Sequence, residues 1–307
     1  MKKPTVLVTG AGGFLGKYVS RYYSLKGYKV LGIGHGILSQ KQRNEWGINS
    51  YLESDITLKN LCELSEKPEI IIHCAGTGSI GYSVEHPYDD FNKNVMTTAA
   101  VLEYMRTKSQ SSVLVFPSSA AVYGNTHKCT PIEEQTQKNP ISPYGVNKLL
   151  AEDLVRSFCR IYDLSASIIR FFSIYGPELK KQLLWDACLK ITRSNFSFSG
   201  TGSEIRDWIY IDDAVSLIAK MGENATTQVP VVNGGTGHGI SVTRVLSLLI
   251  SQFKVDNKPD FTGEVRSGDP YCLIADITEA QSYGWYPRIP FDEGCNMYYT
   301  WFLKEAF

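Results

Sequence analysis

The chain alternates between two hydrophobic regimes. Short, continuous apolar runs occupy Thr5–Thr9, Lys29–Ile33, Glu69–His73, Ser112–Phe116 and Ser167–Phe172. Between them lie stretches with helical spacing: Phe14 to Lys26, with Phe14, Tyr18, Val19, Tyr22 and Leu25 on one face, then Phe91–Met105 and Tyr144–Tyr162. Apolar strands without polar alternation are buried on both faces, and their alternation with helices predicts an α/β fold built on a doubly wound parallel sheet. After Ser173 the pattern loosens. Gly200-Thr201-Gly202, Gly234-Gly235-Thr236-Gly237 and Gly263 mark loops, with helical stretches near Leu183–Thr192, Ile211–Met221 and Ser241–Gln252. The expected division is a nucleotide-fold domain over residues 1–172 and a smaller portion over 173–307, with some of its segments returning to the first.

Composition narrows the function classes. In 307 residues, Lys plus Arg is 31 and Asp plus Glu is 31, so no excess positive charge exists to neutralise a nucleic-acid backbone. No apolar stretch approaches a membrane span, and the N-terminal run Val6-Leu7-Val8 is far too short for a signal-peptide core. The expectation is a cytoplasmic protein that binds neither nucleic acid nor membrane. Seven scattered cysteines without a C-x-x-C pattern suggest no disulfide framework, and five histidines without ligand spacing suggest no metal site.

The first strand runs into Thr9-Gly10-Ala11-Gly12-Gly13-Phe14-Leu15-Gly16 and then a helix. In this context Gly10 makes the tight turn, Gly13 admits a pyrophosphate to the helix N-terminus, and Gly16 allows close helix–strand packing. That combination predicts a Rossmann-type dinucleotide site. The second strand ends at Ile33-Gly34-His35, where NAD-binding folds usually carry an acid for the ribose 2′-hydroxyl. Gly34 supplies none, and His35, Lys41 or Arg43 offer donors to a 2′-phosphate. The reading leans to NADP(H) and leaves NAD(H) open. Asp55, after the third strand, is a candidate partner for adenine.

Tyr144 and Lys148 stand at i and i+4 of a helix and so share a face. A phenol is a poor base near neutrality, but a neighbouring ammonium and a cationic nicotinamide favour the phenolate. Ser119, directly after a strand, can hydrogen-bond the substrate oxygen that exchanges the proton. The catalytic candidates are therefore Ser119, Tyr144 and Lys148. His73 and Cys74 read as packed core groups.

With these elements in order, the chain resembles the extended short-chain dehydrogenase/reductases of the nucleotide-sugar epimerase/dehydratase group, over nearly its whole length. The likeness rests on Thr9–Gly16, His73-Cys74-Ala75-Gly76 with Gly81–Val84, Asn94-Val95, Ser118–Gly124, Tyr144–Lys148, Arg170–Pro177, Gly200–Asp213 and Arg266–Asp269. It implies cofactor contacts from Phe14, Leu15, Ile56, Cys74, Ala75, Gly76, Asn94 and Phe171. It implies a nucleotide-diphosphate sugar held by Gly78, Ser79, Ser118, Ser119, Ala120, Tyr144 and Ser173, with Arg206 and Arg266 on the diphosphate. The group's usual Asn is Ser173 here. It also implies a homodimer paired through the helices at Phe91–Met105 and Tyr144–Tyr162.

Two departures narrow the chemistry. The 4,6-dehydratases of the group carry an Asp-Glu pair where this chain has Ala120-Ala121, and methyl groups transfer no protons. The local cysteine used for epimerisation beside a carbonyl is also missing. Hydride chemistry at C4 remains, in two forms. The reading favours reduction of a 4-keto-6-deoxy sugar nucleotide by NADPH; the alternative is a 4-epimerase with tightly bound NAD+, and a remote third is a non-catalytic cofactor-binding module. Either enzyme would concentrate its cations, Lys148, Arg206 and Arg266, in one cleft and keep the compensating acids elsewhere.

Overall fold

The structure is a computed structural model that describes residues 3–125, 129–264 and 270–306. Its central element is a seven-stranded sheet. β1 (Thr5–Thr9), β2 (Lys29–Gly34), β3 (Ser50–Glu53), β4 (Ile70–His73), β5 (Val113–Ser119) and β6 (Ser165–Phe171) are parallel, and β10 (Val231–Gly234) lies beside β6. The order is β3-β2-β1-β4-β5-β6-β10, so the chain reverses its winding between β1 and β4, the place where doubly wound sheets bind dinucleotides.

Helices α1 (Phe14–Leu25), α2 (Gln40–Glu45), α3 (Leu58–Cys62), α4 (Ile80–Glu85), α5 (Pro87–Phe91), α6 (Thr97–Lys108) and α7 (Pro143–Tyr162) join these strands. The strand residues Leu7, Ile71, Leu114, Phe116 and Ile168 are almost entirely shielded and meet Val101, Leu102, Val155 and Cys159 from α6 and α7. Continuous apolar strands are thus covered as their composition requires. Helices α4 and α7 each begin on a side-chain cap: Ser79 Oγ accepts from Tyr82 N, and Ser142 Oγ accepts from Gly145 N.

One expected helix is not regular. Phe91–Met105 is divided by a π-helical turn, Asn92–Met96, between α5 and α6. Apolar spacing registers a helical face but not one extra residue in a turn, and π-turns commonly mark functional positions.

The chain divides into two compact units. The first takes the residues up to Gly124, then Gln137–Phe171 and Val215–Val232; the second takes Asn125–Thr136, Phe172–Ala214 and the chain from Asn233 on. In the second unit β9 (Ile205–Tyr210) lies between antiparallel β11 (Gly239–Ser241) and parallel β13 (Cys272–Leu273), and β7 (Ser173–Tyr175) also pairs with it. A short parallel pair, β8 (Ser197–Phe198) and β12 (Asp260–Phe261), lies apart. The helices there are α8 (Gln182–Ile191), α10 (Val242–Gln252), α11 (Thr278–Ser282) and α12 (Phe291–Ala306), while α9 (Ile211–Glu223) runs across the division of the chain. Tyr175, Trp208, Tyr210 and Phe291 form an aromatic core under β9.

The second unit corrects the cysteine reading: Cys129 and Cys272 form a disulfide. They are 143 residues apart in sequence, so no local spacing pattern announces the pair.

Candidate active site

The glycine loop closes on itself between β1 and α1. Gly10 has φ +66°, and a Cβ there would lie 2.8 Å from Ala75 N; at Gly16 a Cβ would lie 2.2 Å from the Gly10 carbonyl oxygen. Both positions exclude any larger residue. Gly13 is the N-cap of α1, whose first turn holds no acid, so its N–H groups and partial positive charge face the loop without competition.

The end of β4 supplies the other wall. Thr9 Oγ1 bonds His73 Nδ1 at 2.7 Å and accepts from Ala75 N at 3.1 Å, which couples the tips of β1 and β4. Burial holds His73 neutral, with its pKa near 3, and pushes the Cys74 thiol up to about 12; both are packed groups. Asn94 lies in the π-turn, and its buried Oδ1 has no hydrogen-bond partner. A Cβ at Gly76 would lie 2.6 Å from that oxygen. A glycine cradle beside an unpartnered buried amide oxygen fits a bound dinucleotide, which would satisfy the amide and occupy the opening.

After β2 and β3, His35 Nε2 and Asp55 Oδ1 meet at 2.9 Å, both exposed. Ile56, the residue after Asp55, is buried, and among the described residues Arg43 Nε is buried without a hydrogen-bond partner. A Cβ at Gly34 would lie 3.3 Å from Gly10 Cα, so a side chain there would press on the glycine loop.

The catalytic candidates converge within the first unit. The Ser119 hydroxyl and the Tyr144 phenol are hydrogen-bonded. Burial pushes Tyr144 up to about 12; the Ser119 bond opposes this and the Asp90 charge reinforces it. Lys148 donates to the Pro117 carbonyl at 3.0 Å and lies 5.0 Å from the Phe116 ring centroid. Burial lowers its pKa to about 8, although Cys74, Asp90 and Glu152 favour the ammonium. Without a cofactor, then, the phenol keeps its proton near neutrality.

Ser118, adjacent to Ser119, faces the other way and donates to Glu152 Oε1 at 2.6 Å. Glu152 also receives Arg170 through two bonds, and Arg170 Nη1 donates to Tyr123 Oη at 3.0 Å. Burial works against the Glu152 carboxylate, but Arg170, Ser118 and Arg156 hold it below its ordinary range. Ala120 and Ala121 are buried in a tight turn after Ser119 and bring no acid to it. Gly78 and Ser79 are exposed ahead of α4, and Phe171 is buried at the end of β6.

In the second unit, Ser173 starts β7, and Arg206 on β9 donates to the carbonyls of Ile205 and Tyr271. Arg266 lies outside the described residues. The expected segregation of charge does not hold: two buried acids, Asp90 and Glu152, lie close enough to Lys148 to stabilise its charge. Sequence reading overlooked both. Glu152 is signalled by its spacing, four residues beyond Lys148 and eight beyond Tyr144, whereas nothing local marks Asp90. Among the described residues no His/Cys/Asp/Glu group can hold a metal ion, and no helix is long and apolar enough to cross a membrane.

A glycine-loop dinucleotide cradle with serine, tyrosine and lysine at the ends of neighbouring elements defines a dehydrogenase-type site. The profile of the NAD-dependent epimerase/dehydratase family matches residues 6–235, and the chain belongs to that family. UDP-glucose 4-epimerase of Mycolicibacterium smegmatis is 29% identical, over 94% of this chain and 95% of its own length. The crystal structure of UDP-glucose 4-epimerase from Thermotoga maritima with UDP-glucose superposes at TM-score 0.90 with 27% identity, covering 99% of this chain and all of that one. MoeE5 in complex with UDP-glucuronic acid and NAD gives TM-score 0.89 and 25% identity over 98% of this chain and 99% of its own.

Proposed function

We propose that this protein is a nucleotide-sugar 4-epimerase that retains NAD+ and acts on a UDP-hexose or UDP-hexuronate. The observation that carries the reading is the Ser119–Tyr144–Lys148 set beside a turn that offers only methyl groups, Ala120 and Ala121. Such a site can move one proton at a sugar hydroxyl and has no second acid in that turn for dehydration. The solved relatives named above hold UDP-sugars, and MoeE5 holds NAD, which favours epimerisation over the NADPH-dependent reduction suggested by Gly34.

The glycine loop, Phe14, Leu15, Asp55, Ile56, Cys74–Gly76, Asn94 and Phe171 would hold the cofactor. When bound, NAD+ supplies a reversible hydride acceptor and a positive charge. Tyr144 takes the proton of the sugar 4-hydroxyl and returns it. Ser119 holds that oxygen in line with the phenol, and the Lys148 ammonium stabilises the phenolate and anchors a ribose hydroxyl. Arg206 and Arg266 bind the diphosphate, since a guanidinium matches phosphate oxygens. Exposed Val84, Val146, Leu150 and Ile161 on α4 and α7 support a homodimer, and the cellular site proposed is the cytoplasm.

The test is incubation of purified protein with UDP-glucose, UDP-galactose and UDP-glucuronate. Interconversion of 4-epimers with no net change in pyridine nucleotide, and NAD+ released on denaturation, is expected. Tyr144→Phe should remove turnover and keep the cofactor. Stoichiometric NADPH oxidation on a 4-keto sugar nucleotide would establish the reductase instead, as Gly34 favours.

A further inference from the structure

Among the described residues of the first unit, the proton transfer above leaves one buried carboxylate without a stated role. Asp90 on α5 is fully shielded from solvent, and among the described residues no lysine or arginine pairs with it. Three uncharged donors converge on it instead. Thr77 Oγ1 and Asn94 Nδ2 donate to Oδ1, the latter at 3.2 Å, and Asn147 Nδ2 donates to Oδ2 at 2.7 Å. Asn94 also donates to Thr77 Oγ1 at 2.9 Å. Each donor comes from a different part of the site: the loop after β4, the π-turn and the catalytic helix.

The donor pattern explains the residue type. Acceptors are required on both sides of the planar group, and an ionised carboxylate alone provides them; an asparagine would aim its NH2 at a donor. A buried charge without a counter-ion is costly unless its hydrogen bonds are complete. Asn147 is one of the three residues between Tyr144 and Lys148 in Tyr144-Gly145-Val146-Asn147-Lys148, directly before the lysine, and it is buried.

We propose that Asp90 is a positioning residue for the acid–base pair: through Asn147 it fixes the turn of α7 that carries Tyr144 and Lys148, and it places a carboxylate beside them. The proposal rests on the reading of Tyr144 as the acid–base group. Its effect has a definite sign. Asp90 opposes the Tyr144 phenolate, whose pKa burial already raises, and favours the Lys148 ammonium against the burial that lowers it. Both groups are thereby kept protonated until a cationic cofactor arrives.

The other charges around α7 are committed elsewhere or belong to Lys148. At the end of α4, Glu85 and the capping His86 are exposed, while Tyr82 bonds Asp89 and Lys93. Lys93 in the π-turn pairs with Asp89, Arg106 on α6 with Glu103, and Arg170 on β6 with Glu152. His73 and Cys74 at the end of β4 bear on Lys148, as does Glu152.

The test uses Asp90→Asn and the exchange variant D90N/N147D, both loaded with NAD+. The phenol of Tyr144 is titrated by ultraviolet difference, each protein being compared with its own Tyr144→Phe derivative, and the pH profile of kcat is measured beside KM. Asp90→Asn should lower the titration midpoint and the ascending limb of kcat by roughly one pH unit, with KM changed little. D90N/N147D reverses the hydrogen bond and restores the charge, so its midpoint should return to the wild-type value or above. If Asp90→Asn does not fold, the exchange variant is read alone, and a midpoint below wild type refutes the proposal. A midpoint unmoved in Asp90→Asn, with loss of thermal stability only, makes Asp90 a structural tie and overturns it. A midpoint that moves in a protein with no epimerase activity keeps the positioning role and removes the epimerase reading.

Discussion

Arg170 and Glu152 form a two-point ion pair shielded from solvent, with Nη2 to Oε2 at 2.7 Å and Nε to Oε1 at 2.9 Å. Ser118 and Arg156 share the same carboxylate, so the pair ties β5, β6 and α7 beneath the catalytic residues. Replacing one member strands the other as a buried charge. Arg170→Met or Glu152→Gln should each lose about 3–5 kcal/mol of stability, while replacing both with apolar residues should recover much of it. Denaturant unfolding of the single and double variants checks this. Glu152 also gives the pair a pH signature. Its pKa is depressed in the folded state, so the unfolded chain takes up the proton first as pH falls. The stabilisation is complete above the unfolded value of about 4.3 and is lost progressively below it.

Lys148 has linkage of the same sign in a higher pH window, but here the charged form is the one that burial disfavours. Burial lowers its folded pKa to about 8 from the ordinary 10.5. Between those values the unfolded chain binds the proton that the folded one has released, so stability rises with pH across the interval. At pH 7 the buried ammonium is held at a cost. Lys148→Met should therefore be inactive yet at least as stable as wild type at pH 7, with wild type gaining on it between pH 8 and 10.5. Unfolding midpoints of the two proteins across that range decide the matter.

What the sequence disclosed follows from how local each signal is. The glycine loop and Tyr144–Lys148 occupy single short segments whose spacing is the geometry itself, and the apolar strands read as a sheet for the same reason. Asp90 is different. Its partners Thr77 and Asn147 lie 13 and 57 residues away, and one of two adjacent aspartates on a short helix carries no pattern. The π-turn that places Asn94 adds one residue to a turn, which hydrophobic periodicity averages away. Ser118 and Ser119 read alike in sequence because alternation along a strand fixes their opposite directions only once the sheet's two faces are known.

The Cys129–Cys272 disulfide closes a long loop and anchors the segment before Glu134 to β13, where the neighbouring Tyr271 carbonyl accepts Arg206. Cross-linking residues so far apart restricts the unfolded chain, and its loss should cost about 2–5 kcal/mol. Cys129→Ser and added dithiol should lower the unfolding midpoint of the protein alike, and dithiol should not lower that of Cys129→Ser further. Non-reducing peptide mapping should recover the two cysteines as one linked pair. An unchanged midpoint in Cys129→Ser would show that the covalent link adds nothing to the contacts already present.

The two adjacent serines offer the sharpest separation of stability from chemistry. Ser118 Oγ donates to the buried Glu152 carboxylate at 2.6 Å, whereas Ser119 Oγ meets the Tyr144 phenol and accepts from Ala121 N at 3.1 Å. Ser118→Ala removes a hydrogen bond to a charged group and should lower stability by about 1.5–3 kcal/mol, with kcat close to wild type. Ser119→Ala leaves the ion pair intact. It takes away the hydroxyl that aligns the sugar oxygen with the phenol, and should lower kcat by about 100-fold or more with little change in unfolding midpoint. Measured side by side, kcat and denaturant midpoints should shift in opposite proportion for the two variants. If Ser118→Ala lost turnover without losing stability, its hydroxyl would have to leave Glu152 and reach the substrate, and the assignment of the two serines would be reversed.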